Sequence, residues 1–169
     1  MSARTKLFAW IAIGGVLTLG SYVWGVMGYP ELRDGMWGGV PESVKPLYTI
    51  NMFLAAFGFL LAMGLLLKYA DETMLNRLFL PYTLILIPSA LWLPLTVWYL
   101  QSAAGGLWWA IRIDLFMVGI GAIMLWPAIG RLVAAHSNMR IFGRFGLFFF
   151  ILQTAVLDAI LCPAWFVHP

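Results

Sequence analysis

The chain has 169 residues, of which 63% are hydrophobic and only 10% charged, with a net charge of +3 and a mean hydropathy of +0.91. That composition excludes a soluble globular domain, and basic residues dispersed at the ends of apolar stretches exclude a nucleic-acid-binding surface. A single cysteine, Cys162, leaves no intrachain disulfide and no cysteine metal cluster, and reads as a small apolar helix residue.

Five apolar stretches of about 20 residues follow one another: 7–28, 46–68, 78–100, 107–129 and 141–165. Each is long enough to cross a hydrocarbon core of about 30 Å as a helix. The sequence therefore predicts an all-α fold, an integral membrane five-helix bundle forming one domain over 1–169. The first stretch exceeds the apolar core of a secretory signal, about 7–15 residues, and no A-x-A-like cleavage site follows, so it is a membrane helix. The spans show no internal repeat, and their odd number argues against an inverted-repeat transporter.

The first connection, 29–45, is the longest and carries Glu31, Arg33, Asp34, Trp37, Gly38, Gly39, Pro41 and Glu42. Glycine and proline give turns there, and Trp37 is an apolar anchor for the bundle or the headgroup level. The segment is either a lid over a cavity or an interfacial connector. The third span holds Pro88 and Pro94, which predict a kink with freed carbonyls, beside Ser89, Trp92, Trp98 and Tyr99. Trp98 and Tyr99 fit an interfacial belt, whereas Trp92 is too deep for one and either packs between helices or walls a pocket.

Ionisable side chains at mid-span cost about 2.5–3.5 kcal/mol each on insertion scales and call for a partner or a wet cavity. The spans contain Arg112, Asp114 and Asp158, all at a similar depth below the end that carries the long first loop. Arg112 and Asp114 point to different sides of their helix. Arg112 is expected to pair with Asp158 across the fourth and fifth spans, with Asn51 in reach; its alternative is snorkelling to the headgroups, and that of Asp158 an interhelical hydrogen bond. Small residues four apart, Gly14 with Thr18, Ser21 with Gly25 and Gly58 with Ala62, allow close helix contact within the chain or between protomers.

Arg4, Lys6, Lys68, Arg77, Arg131, Arg140 and Arg144 flank one side of the spans, against Arg33 and Lys45 on the other. The positive-inside rule then predicts a cytoplasmic N-terminus and an extracytoplasmic C-terminus. His136 and His168 fall on opposite sides and cannot share one haem or metal, which argues against a b-type cytochrome. No Walker motif, G-x-G-x-x-G, H-E-x-x-H or nucleophile elbow occurs, so no metal site and no catalytic residue is expected.

Three segments carry a resemblance. Pro41-Glu42-Ser43-Val44-Lys45-Pro46-Leu47-Tyr48-Thr49 resembles the P-x-W-V-F-x-P-x-W-T approach to helix two of the TspO/MBR family, the tryptophan-rich sensory proteins, one residue shorter and with Lys45 and Tyr48 in place of aromatics. Ser89-Ala90-Leu91-Trp92-Leu93-Pro94-Leu95 is similar to that family's N-x-L-W-x-P-L-F-F with serine for asparagine, and Ala155-Val156-Leu157-Asp158 to its A-x-x-L-N with aspartate for asparagine. The resemblance implies five helices and an aromatic-walled apolar pocket for porphyrins, sterols or similar flat lipophiles, capped by the first loop, often in a dimer.

The expected function is therefore binding of a flat lipophilic small molecule, a porphyrin or a lipid, with no cofactor required. Trp37 and Tyr48 would form cap and rim, Trp92 and Ser89 the wall, and Asn51, Arg112 and Asp158 the polar contacts. Arg112 suits a carboxylate such as a porphyrin propionate. The competing expectation is an accessory subunit of a larger respiratory or photosynthetic membrane complex that packs on lipids or pigments. A lipid-modifying enzyme using Asp114 or Asp158 is weaker, since no second catalytic group stands at fixed spacing. The partners expected are membrane lipids, a lipophile, and a second copy or a larger complex.

Overall fold

The computed structural model describes residues 1–132 and 135–166, which are helical with no strand among them. His168 lies outside the described residues. The elements are α1 (Ala3–Gly28), a 3-10 turn (Pro30–Leu32), α2 (Arg33–Met36), α3 (Lys45–Tyr69), α4 (Glu72–Arg77), α5 (Phe79–Ser102), α6 (Gly105–Gly130), α7 (Ser137–Ile151), a π-helix (Leu152–Leu161) and α8 (Cys162–Trp165). Five helical stretches are long and apolar enough to cross a membrane: α1, α3, α4 with α5, α6, and Ser137–Trp165. The chain is a multi-pass integral membrane protein with the predicted five-helix architecture.

Local chemistry sets the ends. The Ser2 hydroxyl accepts from the Thr5 amide at 3.2 Å, and Asp71 Oδ1 accepts from the Met74 amide at 2.7 Å, so each caps the start of a helix whose first amides have no internal partner. Pro46 sits in the first turn of α3, where its missing N–H costs nothing. Ala103, at φ 52°, ends α5 in the left-handed conformation. Helix α5 runs unbroken through both Pro88 and Pro94.

The packing order around the bundle is α1, α5, α6, the last span, α3. α1 and α3 make no comparable contact, which leaves a seam between them. The small residues are used within the chain: Gly14 seats Leu86, Gly25 seats Leu93, and Gly58 meets the backbone of Gly146. Those positions are therefore filled by intramolecular contacts.

The interior divides by composition. At the N-terminal end, Leu66, Leu75, Leu78, Leu125, Ile129 and Leu147 form an aliphatic core around the fully buried Tyr82. At the loop-one end the packing is aromatic, with Trp92, Tyr99, Trp108 and Phe166 around Ile111, Leu115 and Ala159. Loop one is folded down onto that end, burying Met36 and Val40, and Met36 packs with Leu93 and Val97 of α5.

Candidate functional site

A buried chain of hydrogen bonds links α3 to the π-helix beneath loop one. Tyr48 Oη donates to Asp158 Oδ1 at 2.5 Å, and Gln153 Nε2 donates to the same oxygen at 2.8 Å. Asn51 Nδ2 then donates to Gln153 Oε1 at 2.9 Å. Every link joins polar groups that would otherwise be orphaned at membrane depth, so the chain ties the two spans together while satisfying them.

The π-helix makes this possible. In an α-helix, residues five apart are rotated by about 140° and face different sides. The i→i+5 pattern instead stacks Gln153 above Asp158, so both reach α3. Gln153 is the member of this hydrogen-bonded chain that sequence reasoning missed. Its signal was available, because an uncharged amide within an apolar span needs a partner almost as much as a carboxylate does.

Above this chain, Trp37 of loop one packs edge-on against Tyr48 with ring centroids 6.1 Å apart, and Lys45 Nζ lies 5.5 Å from the Trp37 ring centroid. Tyr22 of α1 stands 5.6 Å from Trp92 of α5. Trp108 stacks on Phe166 at 4.9 Å and on Tyr99 at 5.7 Å. Tyr99 is thus interior and does not serve in an interfacial belt, whereas Trp98 on the same helix is exposed. The cavity among Met36, Trp92, Thr96, Trp108 and Phe166 amounts to only about 10 Å³, room for roughly one water, because the rings themselves fill the space.

The residues expected to form a site are only partly brought together. Trp37, Tyr48, Asn51 and Asp158 share one arrangement of hydrogen bonds and edge-on ring packing, and Trp92 joins the neighbouring aromatic cluster. Ser89 is half-buried on α5 and takes no part in the hydrogen-bonded chain.

The expected pairing of Arg112 with Asp158 is not formed. Asp158 is taken by Tyr48 and Gln153, while the Arg112 guanidinium lies 5.9 Å and 6.0 Å from the ring centroids of Trp108 and Trp109. The reason is directional: helical side chains lean toward the helix N-terminus, which carries Arg112 back over the residues three and four before it and toward the loop-one end. A guanidinium laid over a tryptophan pair is the arrangement found. Asp114, only 3% exposed, keeps one carboxyl oxygen, Oδ2, without a hydrogen-bond partner.

Loop one is held by Gly38, whose φ of 65° is left-handed and whose missing side chain leaves room for Phe166 and for Cys162 Sγ, 2.8 Å and 2.9 Å from where a Cβ would sit. Gly38→Ala adds both backbone strain and a clash, so it should lift the loop. The lone Cys162 beneath it reports the change: maleimide should label it several-fold faster in the variant, and an unchanged rate would mean that Gly38 does not hold the loop.

The fold and the buried polar chain define a five-helix membrane protein with a loop-capped aromatic end. Comparison with protein-family models, with curated proteins and with solved structures returns no match.

Proposed function

We propose that this chain binds a flat lipophilic small molecule, of the porphyrin or sterol kind, at its loop-one end. The observation that carries the reading is the edge-on packing of Trp37 against Tyr48 over the buried Tyr48–Asp158–Gln153–Asn51 chain, next to the ring cluster of Trp92, Tyr99, Trp108 and Phe166. Rings offer faces for a flat ligand, and the polar chain offers a small number of fixed groups to orient it. The ligand replaces ring-on-ring contacts when loop one lifts, and the seam between α1 and α3 gives it a lateral path from lipid. Arg112, held over Trp108 and Trp109, is the cation available to a ligand carboxylate at the rim. The resemblance of the three segments to the TspO/MBR family supports the same reading.

Protoporphyrin added to the purified chain in detergent should quench its tryptophan fluorescence saturably. Trp37→Ala should weaken that binding by about 1–3 kcal/mol with the helical content unchanged. Absent or non-saturable quenching would discard the ligand and favour the second reading, an accessory subunit of a larger membrane complex. The nearly filled space among the loop-one rings, with about 10 Å³ free, is the observation on that side.

The orientation that goes with this reading has the N-terminus in the cytoplasm and loop one outside, because seven basic residues flank the N-terminal side of the spans and two the other. A reporter fused after Pro169 should read as extracytoplasmic. A cytoplasmic signal would reverse the side from which the ligand arrives.

A further inference from the structure

At the end of the bundle opposite loop one, Arg140 and Arg144 stand one turn apart on α7 and line a cleft of about 350 Å³ together with Gly130, Ser137 and Ile141. Neither guanidinium meets a carboxylate: among the described residues the ion pair within 4 Å is Lys45 with Glu42, at the other end. The two are nevertheless held in place. Arg140 Nη1 donates to the Leu132 carbonyl at 3.2 Å, and the Arg144 guanidinium lies 5.8 Å from the Trp126 ring centroid. Gly130 completes the arrangement, since a Cβ there would overlap Arg144 Nη2.

Two positioned, unneutralised guanidinium forks carry five N–H donors each, and those not taken by the Leu132 carbonyl are more than a single carboxylate can accept and well matched to the oxygens of a phosphate. The first backbone amides of α7, which begins at Ser137, add positive potential from the helix end. The surroundings are apolar: Ile141 at the cleft and Phe145 one turn further along α7 are each 63% exposed, and Trp126 is 37% exposed. A cleft of this volume suits a small headgroup, and basic pockets between membrane helices are a recurring way of holding one.

We propose that this cleft binds a lipid-borne phosphate, the headgroup of an anionic phospholipid whose acyl chains run along Ile141, Phe145 and Trp126. The site is separate from the loop-one end and does not depend on what binds there. Arg140 and Arg144 grip the phosphate, Gly130 keeps the second fork in position, and Trp126 backs it.

The test is native mass spectrometry of the full chain in detergent, titrated with phosphatidylglycerol or with phosphatidylcholine. The unsubstituted protein should retain phosphatidylglycerol about tenfold better. Arg140→Gln with Arg144→Gln should abolish the preference, while Arg131→Gln, which removes a nearby exposed cation, should leave it intact. Gly130→Ala is the variant that separates a built site from diffuse charge. It changes no charge and meets only the far end of a flexible side chain, so the fold survives, yet it displaces the Arg144 fork and should weaken retention at least about threefold. Equal retention in Gly130→Ala, or an Arg131→Gln loss as large as that of the double variant, would overturn the site. Excess inorganic phosphate should not displace the lipid; full displacement would overturn the lipid source in favour of a soluble phosphate.

Discussion

Gly58→Ala should lower stability by about 3 kcal/mol or more, the upper end of what overpacking costs. At this position α3 and α7 meet backbone to backbone. A Cβ on Gly58 would fall within the van der Waals radius of the Gly146 carbonyl, and one on Gly146 would come 2.8 Å from the Gly58 Cα. Neither partner is a side-chain tip that can swing away, so the two helices must separate along their length. Gly64→Ala on the same helix is the control, because nothing lies within 4 Å of its position. It should be neutral, or stabilise by up to about 1 kcal/mol as the helix loses a glycine. Thermal unfolding in detergent distinguishes the two, and equal midpoints for both variants would contradict the close approach.

Asp158→Leu should cost about 3–5 kcal/mol, because it strands the Tyr48 hydroxyl and the Gln153 amide together, each a buried donor worth about 1–3 kcal/mol when left unpaired. Combining it with Tyr48→Phe removes one stranded donor, so the double variant should be more stable than the sum of the single losses predicts. Arg112→Gln with Asp158→Leu should instead add within about 0.5 kcal/mol, because the two side chains share no partner. Strong coupling between Arg112 and Asp158, with none between Tyr48 and Asp158, would refute the hydrogen-bonded chain.

The behaviour of Arg112 shows where reading by position fails. Its depth in the fourth span and its charge both pointed to Asp158, and both residues do lie toward the loop-one end. Which carboxylate, ring or headgroup a long side chain reaches depends on the direction in which it leaves the helix and on which partners are already occupied. Tyr48 and Gln153 occupy Asp158. Trp108 and Trp109, one turn toward the loop-one end, receive Arg112.

Length and apolarity by themselves determined the five spans, since a chain in lipid must close its backbone hydrogen bonds within each segment and about 20 apolar residues do so only as a helix. The same economy marked Arg112, Asp114 and Asp158 as residues in need of partners. The tertiary structure decided who those partners are. A ten-residue π-helix, invisible to a search for 3.6-residue periodicity, turns Gln153 onto the face of Asp158. Contact between Gly58 and Gly146 brings α3 close enough for Tyr48 and Asn51 to meet that face. Register between helices is a property of their packed surfaces, and no single span carries it.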